Sequence, residues 1–146
     1  MTMPVENIKE IVRCSQLGVP LENDLMEWLG ECLSEVLARR VSSFEEAFGL
    51  QNSHGGVPWW LASAMHERNK ALRALARHHF ADLPRSQQAR EIEALSGRYM
   101  ASAWRFDRNR SEMPLRYERQ PQEWLWRACK SGAFMPISQR QLRNIL

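Results

Sequence analysis

Basic side chains recur at helical spacing in the second half of this sequence. At about 100° per residue, one helix face collects His66, Lys70, Arg73 and Arg77. The outer face of the next predicted helix collects Arg90, Arg98, Arg105 and Arg108. Lysine and arginine bind phosphate groups, and arginine can do so through two parallel hydrogen bonds. The spacing therefore predicts two basic faces able to neutralise a phosphate backbone, with simple solvation of both faces as the alternative.

An acidic row lies earlier in the chain, on the second predicted helix. Glu27, Glu31 and Glu35 follow each other at four-residue spacing, where like charges destabilise a helix. We therefore expect this row to have a basic neighbour. If that neighbour is an arginine face of the same molecule or of a second copy, the two charge blocks cancel and the nucleic-acid interpretation weakens.

The charge is divided unevenly along the chain. Residues 1–50 carry four basic and nine acidic groups, a net charge of −5, whereas residues 51–146 carry sixteen and eight, a net charge of +8. Such asymmetry is typical of a protein with an anionic partner, or of two parts that neutralise each other. Seventeen of the twenty basic residues are arginine. Because a GC-rich genome gives the same excess, we rely on the placement of the arginines and not on their number.

The C-terminal region carries part of a helix-turn-helix signature. Ala128 and Gly132 have the spacing of the small residue in the first helix and the glycine of the turn. Ile137 and Ser138 fit the start of the second helix, and Leu142 fits its core position. The segment resembles the helix-turn-helix class of DNA-binding proteins.

That resemblance implies a recognition helix whose outward side chains read base edges. These side chains are Gln139, Arg140, Arg143 and Asn144. The sequence departs from the usual pattern because Ala133–Pro136 lengthens the tight turn by four residues, and the second helix ends with the chain. A plain helical hairpin that packs its apolar residues into the core is the alternative interpretation.

Motifs for catalysis or metal binding are incomplete. The segment from His66 to Lys70 begins like a zinc-protease helix, but Lys70 stands where the second histidine must be. His78 and His79 are adjacent, which disfavours a shared ion because a helix separates them by about 100°. An enzyme would need a pocket around Arg68, His79 and an acid of the second helix. We therefore predict a protein that is not an enzyme and that has no metal and no cofactor.

Two polar residues fall on the apolar side of the fourth predicted helix. Arg68 is expected to pair with an acid there, most simply one of the second helix, because an unpaired charge on a core-facing side is unfavourable. His79 is expected to be a hydrogen-bonded core histidine.

Tryptophan is abundant, with six residues in 146. Trp28 and Trp124 follow apolar stripes and are expected in the core. Trp59 projects to the polar side of the fourth helix, and Trp104 flanks the arginine face of the fifth. We therefore predict Trp59 and Trp104 as interface residues, suited either to a protein contact or to base stacking.

Helical periodicity recurs along the chain and strand signals are nearly absent, which predicts an all-α fold. Helices are expected at residues 5–14, 20–40, 44–48, 58–80, 86–108, 121–131 and 138–146. Ser43, Ser86 and Ser138 are placed to cap three of them. The short connection at Ala81–Arg85 predicts that the fourth and fifth helices form a long antiparallel hairpin. We predict a compact bundle of about five to seven helices built around this hairpin.

The length of 146 residues suits a single helical domain spanning 1–146. Within it we predict an acidic helical part at 1–50, a glycine-containing loop at 51–58 and a basic helical part at 59–146.

The sequence also bears on location. No run of about 18 apolar residues and no leader pattern is found, so we expect no membrane association and a cytoplasmic protein. Three cysteines without a C-x-x-C pair predict free, mostly buried thiols. In composition the chain is similar to small bacterial or mobile-element reading frames that are rich in arginine and tryptophan.

Together these observations predict a small non-enzymatic nucleic-acid-binding protein, such as a DNA-binding regulator, that uses arginine-rich helix faces. The alternative is a protein-interaction or self-assembling helical module, in which acidic and basic faces neutralise each other within one chain or in a homo-oligomer.

Overall fold

The computed structural model describes residues 4–51, 56–136 and 138–146, and these residues form helices and no strand. The α-helices are α1 Pro4–Leu17, α2 Asn23–Leu37, α3 Phe44–Ala47, α4 Trp59–His79, α5 Arg85–Ala101, α6 Trp104–Asp107, α7 Pro121–Lys130 and α8 Gln139–Ile145. A 3₁₀ turn at Leu115–Tyr117 lies between α6 and α7. The predicted all-α class is confirmed. Most of the predicted loop at 51–58, and Ile137 of the helix-turn-helix signature, lie outside the described residues.

The chain divides into two compact units, Met1–Trp59 and Trp60–Leu146. The division falls directly after the predicted loop, and it separates the two blocks of charge. The first unit holds the net charge of −5, and the second holds the net charge of +8. The single-domain organisation stays a prediction.

The first unit is made by α1, α2 and α3 and has few buried side chains. Its contacts are concentrated between α2 and α3, where the Trp28 and Phe48 rings lie 5.5 Å apart. Cys14 and Cys32 are its buried apolar residues among those described. Ser43 caps α3 as predicted, since its hydroxyl accepts from the Glu46 amide at 3.1 Å.

The second unit has a continuous apolar core to which α4, α5, α7 and α8 contribute. The largest apolar side chains that are less than 2% exposed are Leu72, Leu75, Ile92, Leu125 and Leu142. The most extensive helix contact is between α5 and α8. The Gln88 side-chain amide donates to the Phe80 carbonyl at 2.8 Å, so this hydrogen bond links α5 to the residue that follows α4. The antiparallel hairpin of these two helices stays a prediction.

The fifth predicted helix was expected to continue to Arg108, and this expectation is wrong. Helix α5 ends at Ala101, and Ser102 leaves the helical conformation with φ −125° and ψ −89°. The Ser102 hydroxyl donates to the Arg98 carbonyl at 2.6 Å, which is the local competition with backbone bonding by which serine disturbs helices. Helix α6 begins at Trp104, and Phe106 is 76% exposed, although an unbroken helix would place it on the buried face of Ile92 and Tyr99.

Of the serines predicted to cap α8 and α5, one forms a cap and the other does not, and this difference can be tested by stability measurements. Ser138 forms a complete capping box with Gln141, whereas α5 begins at Arg85 after Pro84, so Ser86 lies inside the helix and is not its cap. Proline fits that position because its ring presets the backbone and it needs no donor there. We expect Ser138→Ala to lower the free energy of unfolding by about 1 kcal/mol and Ser86→Ala by less than about 0.5 kcal/mol. Urea denaturation measures both, and equal losses would contradict the capping assignment.

Candidate functional site

The second unit contains an open cleft of about 640 Å³ between α4 and α7. Clefts of this volume are of the size that small ligands occupy. The polar and aromatic side chains that line it are His66, Glu67, Lys70, Arg73, Arg77, Trp124 and Arg127. The cleft is therefore lined mainly by cationic groups, with one aromatic ring on the α7 side.

The α4 wall of the cleft follows from the helical period. Positions 66, 70, 73 and 77 fall on one side of α4, while Leu72 and Leu75 on the other side are completely buried. The burial of those leucines fixes the rotation of the helix. The basic side chains therefore form a row of about 16 Å along the cleft, at 1.5 Å of rise per residue.

Most of the cations in this row are available to a ligand. Lys70 and Arg77 are exposed, and neither makes a hydrogen bond or ion pair with any residue in the described part of the chain. Arg73 uses one donor, its Nε, which binds the Ile145 carbonyl at 2.8 Å. Its other guanidinium nitrogens remain for a ligand, so Arg73 joins α4 to the C-terminal helix without losing its charge.

The α7 wall is built around Trp124. The His78 ring of α4 stacks parallel to the Trp124 ring, with centroids 5.2 Å apart and planes 2° apart. The Arg127 guanidinium lies over the same ring at 5.0 Å and also contacts Glu123 at 3.3 Å. This arrangement holds an arginine and an aromatic ring opposite the basic row of α4.

The structure brings together three of the predicted binding residues, Lys70, Arg73 and Arg77, and adds two that the sequence analysis missed. Trp124 was expected only in the core, yet it is half-buried and lines the cleft. Arg127 was not singled out. Their three-residue spacing on α7 was the available signal, because it places the two side chains on one helix face.

The other predicted basic residues lie outside this cleft. Arg90 and Arg98 are exposed on α5, and Arg105 and Arg108 are exposed at α6. The four side chains predicted to read bases are exposed on α8: Gln139, Arg140, Arg143 and Asn144. Helix α8 packs chiefly against α5, whereas the recognition helix of a helix-turn-helix packs against the helix before it, here α7. A nucleic-acid contact by either group stays a prediction.

The two predicted interface tryptophans are less exposed than expected. Trp104 is half-buried, with its ring 6.2 Å from that of Tyr99. Trp59 is also half-buried, whereas its neighbour Trp60 is 58% exposed. Their role as interface residues stays a prediction.

The acidic row of α2 was expected to find a basic neighbour. Glu35 pairs with Arg40 at 3.2 Å, within the same unit. Glu27 and Glu31 are exposed and make no ion pair with another residue in the ranges the structure describes.

Arg68 was expected to pair with an acid of the second helix, and the partners seen are different. Two of its guanidinium nitrogens donate to the Asn69 side-chain oxygen at 3.0 and 2.8 Å, and the third donates to the Phe134 carbonyl at 2.5 Å. Neutral oxygens thus satisfy a group whose pKa is lowered from its ordinary value by burial. Arg68 acts as a packing residue that ties α4 to the segment before α8.

A buried carboxylate lies elsewhere in the second unit, at the end of α6. Asp107 is 1% exposed, and its Oδ2 accepts from the hydroxyls of Tyr99 at 3.1 Å and Tyr117 at 2.5 Å. The Nε of Arg110 and the Nη2 of Arg116 lie 3.7 Å from Oδ1. Asp107 therefore joins α5, α6 and the 3₁₀ turn, and it holds the arginine-rich segment between α6 and α7 against the core.

The tyrosines of this cluster predict a loss of stability at alkaline pH. Burial, and then the Asp107 charge, raise the pKa of Tyr99 above its ordinary value of 10.0. A raised pKa stabilises the folded state fully below the unfolded value, and this contribution is lost as the pH rises through the folded value. We expect the free energy of unfolding to fall above about pH 10, and to fall less in Tyr99→Phe. Urea denaturation between about pH 8 and pH 11 tests this, and identical profiles for the two proteins would contradict it.

The three cysteines are free and buried, as predicted. Burial raises the pKa of the Cys129 thiol to about 12 and also raises those of Cys14 and Cys32. A thiol held in its protonated form is a poor nucleophile.

In residues 4–51, 56–136 and 138–146, no group of three or more histidine, cysteine or acidic side chains is placed to hold a metal ion. Over the same ranges, no helix is long and apolar enough to cross a membrane. No protein-family model, curated protein or solved structure matches the chain. The functional interpretation therefore rests on the geometry of the cleft.

Proposed function

We propose that this chain is a non-enzymatic nucleic-acid-binding protein whose primary contact is the cleft between α4 and α7. The observation that carries the proposal is the row of cations on α4, in which Lys70 and Arg77 have no partner in the described residues. A row of unpaired cations in a concave site raises the local concentration of a polyanion. A phosphate backbone is the polyanion whose repeated charges match such a row.

Binding by this cleft would act through phosphate neutralisation. Each phosphate contact releases counterions, so the affinity should depend strongly on salt. Arginine and lysine contacts of this kind position a nucleic acid without reading its sequence. Any recognition of the nucleic-acid sequence would be made by the exposed polar side chains of α8. A regulator in the cytoplasm is the role that suits such a protein.

Fluorescence anisotropy of labelled oligonucleotides, single-stranded and duplex, tests this proposal. We expect binding at micromolar protein in low salt, with an affinity that falls by tenfold or more between about 50 and 200 mM salt. Absence of binding to every oligonucleotide at low salt would contradict the proposal. Binding that does not respond to salt would contradict its mechanism.

A second candidate function, self-assembly, is favoured by the apolar surface of the first unit. Met26, Leu33 and Leu37 of α2 are 54, 39 and 85% exposed. Residues seven and eleven positions apart share one helix face, so these side chains form a stripe that lies about 140° around α2 from the acidic row. Large exposed apolar groups of this kind are typical of a protein contact.

Light scattering across a salt series separates the two candidates. A dimer without affinity for nucleic acid supports self-assembly by α2. Dissociation of that dimer by salt would indicate contact between acidic and basic faces, whereas persistence in salt would indicate apolar contact. A monomer at every salt concentration would contradict the second candidate.

A further inference from the structure

We propose that the cleft between α4 and α7 accepts a single nucleic-acid strand and excludes a duplex, with one base stacked on Trp124. This inference rests on the proposed function and adds the class of ligand. It is carried by the position of the basic row relative to α7 and by the contacts of the Trp124 ring.

The position of α7 disfavours a duplex. A helix that reads duplex DNA enters the major groove with its basic face outward and unobstructed. Here the basic face of α4 looks into a cleft whose other side is formed by Trp124 and Arg127 of α7. A convex duplex reaches only the rim of such a cleft. A single strand is narrow and flexible enough to enter it.

The size of the cleft fits a short stretch of one strand. Its volume of about 640 Å³ lies within the range for small-molecule sites, so it holds one or two nucleotide units. The basic row on α4 is longer than one such unit, and its charges therefore continue along the backbone on either side. A cationic groove with an aromatic ring inside it is the arrangement that proteins use to bind single strands without sequence preference.

A base can stack on the Trp124 ring because the contact between Arg127 and that ring is weak. His78 covers one region of the ring in a parallel stack, and Arg127 contacts the ring at 5.0 Å. The Arg127 side chain is 51% exposed and has one further ion pair, with Glu123 at 3.3 Å. A cation–π contact of an exposed guanidinium is weaker than the stacking of a base on an aromatic ring. A base can therefore displace the guanidinium, which is then free to bind a phosphate.

The test compares labelled oligothymidylate and oligouridylate of about ten nucleotides with a hairpin duplex of about ten base pairs, by anisotropy. We expect either single strand to bind at least tenfold more tightly than the duplex. Trp124→Leu should lower single-strand affinity by about tenfold, leave the salt dependence unchanged and have little effect on the duplex. Trp28→Leu, which removes a half-buried tryptophan of the first unit, is the matched control and should bind like the parent protein.

The outcomes distinguish the single-strand inference from the more general proposal that the chain binds nucleic acid. Equal or tighter binding of the duplex overturns this inference and leaves the proposed function standing, whereas no binding of any oligonucleotide overturns both. Equal losses for Trp124→Leu and Trp28→Leu overturn the stacking contact. If Trp124→Leu fails to fold by circular dichroism, Trp124→Phe retains a ring and should lose only part of the single-strand affinity. A Trp124→Phe protein that prefers the duplex contradicts the inference equally.

Discussion

Replacing Lys70 and Arg77 together by glutamine is expected to lower the affinity for nucleic acid by roughly 20- to 60-fold at about 0.1 M salt. The reason is counterion release, because each lost phosphate contact removes about one unit from the slope of log affinity against log salt. Both side chains are exposed and have no partner in the described residues, so their loss should not disturb the fold. Anisotropy titrations over a salt series measure the affinity and the slope together.

The matched control is Arg90→Gln with Arg98→Gln. It removes the same formal charge from exposed positions of α5 that do not line the cleft. We expect a much smaller loss of affinity and a slope close to that of the parent protein. Equal losses for the two double variants would mean that the whole basic surface binds, and the cleft would lose its special role.

Asp107→Ala should have the largest effect on stability, a loss of about 2 to 4 kcal/mol in the free energy of unfolding. The substitution leaves the Tyr99 and Tyr117 hydroxyls without their acceptor, and it removes the charge that Arg110 and Arg116 approach. Buried donors without acceptors destabilise a protein more than the net value of an ordinary hydrogen bond. Urea or thermal denaturation, followed by tryptophan fluorescence, measures the loss.

Asp82→Ala is the control for this prediction. Asp82 is exposed in the turn after α4, and it makes no hydrogen bond or ion pair with the described residues. Its replacement should change the free energy of unfolding by less than about 0.5 kcal/mol. A loss at Asp107 no larger than that at Asp82 would show that the cluster does not hold the second unit together.

The sequence was sufficient for the parts of the fold that depend on local periodicity. The buried stripe of α4, with Leu72 and Leu75, and the inward face of α5, with Ile92, follow directly from the helical period. The caps at Ser43 and Ser138 were also predictable, because a capping box is a local pattern.

The break between α5 and α6 was not predictable in the same way. The apolar and basic periodicity continues through Ser102, so the pattern alone favours one long helix. The break depends on a single hydroxyl that bonds to the Arg98 carbonyl, and serine inside a helix often does this without ending it. The positions of Trp104 and Phe106 were missed as a consequence.

The sequence predicted one wall of the candidate cleft, on α4, and missed the other wall, on α7. The basic row on α4 is a property of one helix, and the sequence therefore shows it. The opposite wall depends on where the chain places α7, which no local pattern gives. Asp107 was missed for a similar reason, because its partners Tyr99 and Tyr117 are brought to it by the turns on either side of α6.

Cross-linking is the most direct test of the central claim that nucleic acid binds in the cleft between α4 and α7. A single-stranded oligonucleotide carrying photoreactive thymidines would be cross-linked to the protein and the attached peptides identified by mass spectrometry. The structure predicts cross-links in α7 around Trp124 and in α4 between His66 and Arg77. Cross-links confined to α8 or to the first unit, with none in α4 or α7, would contradict it.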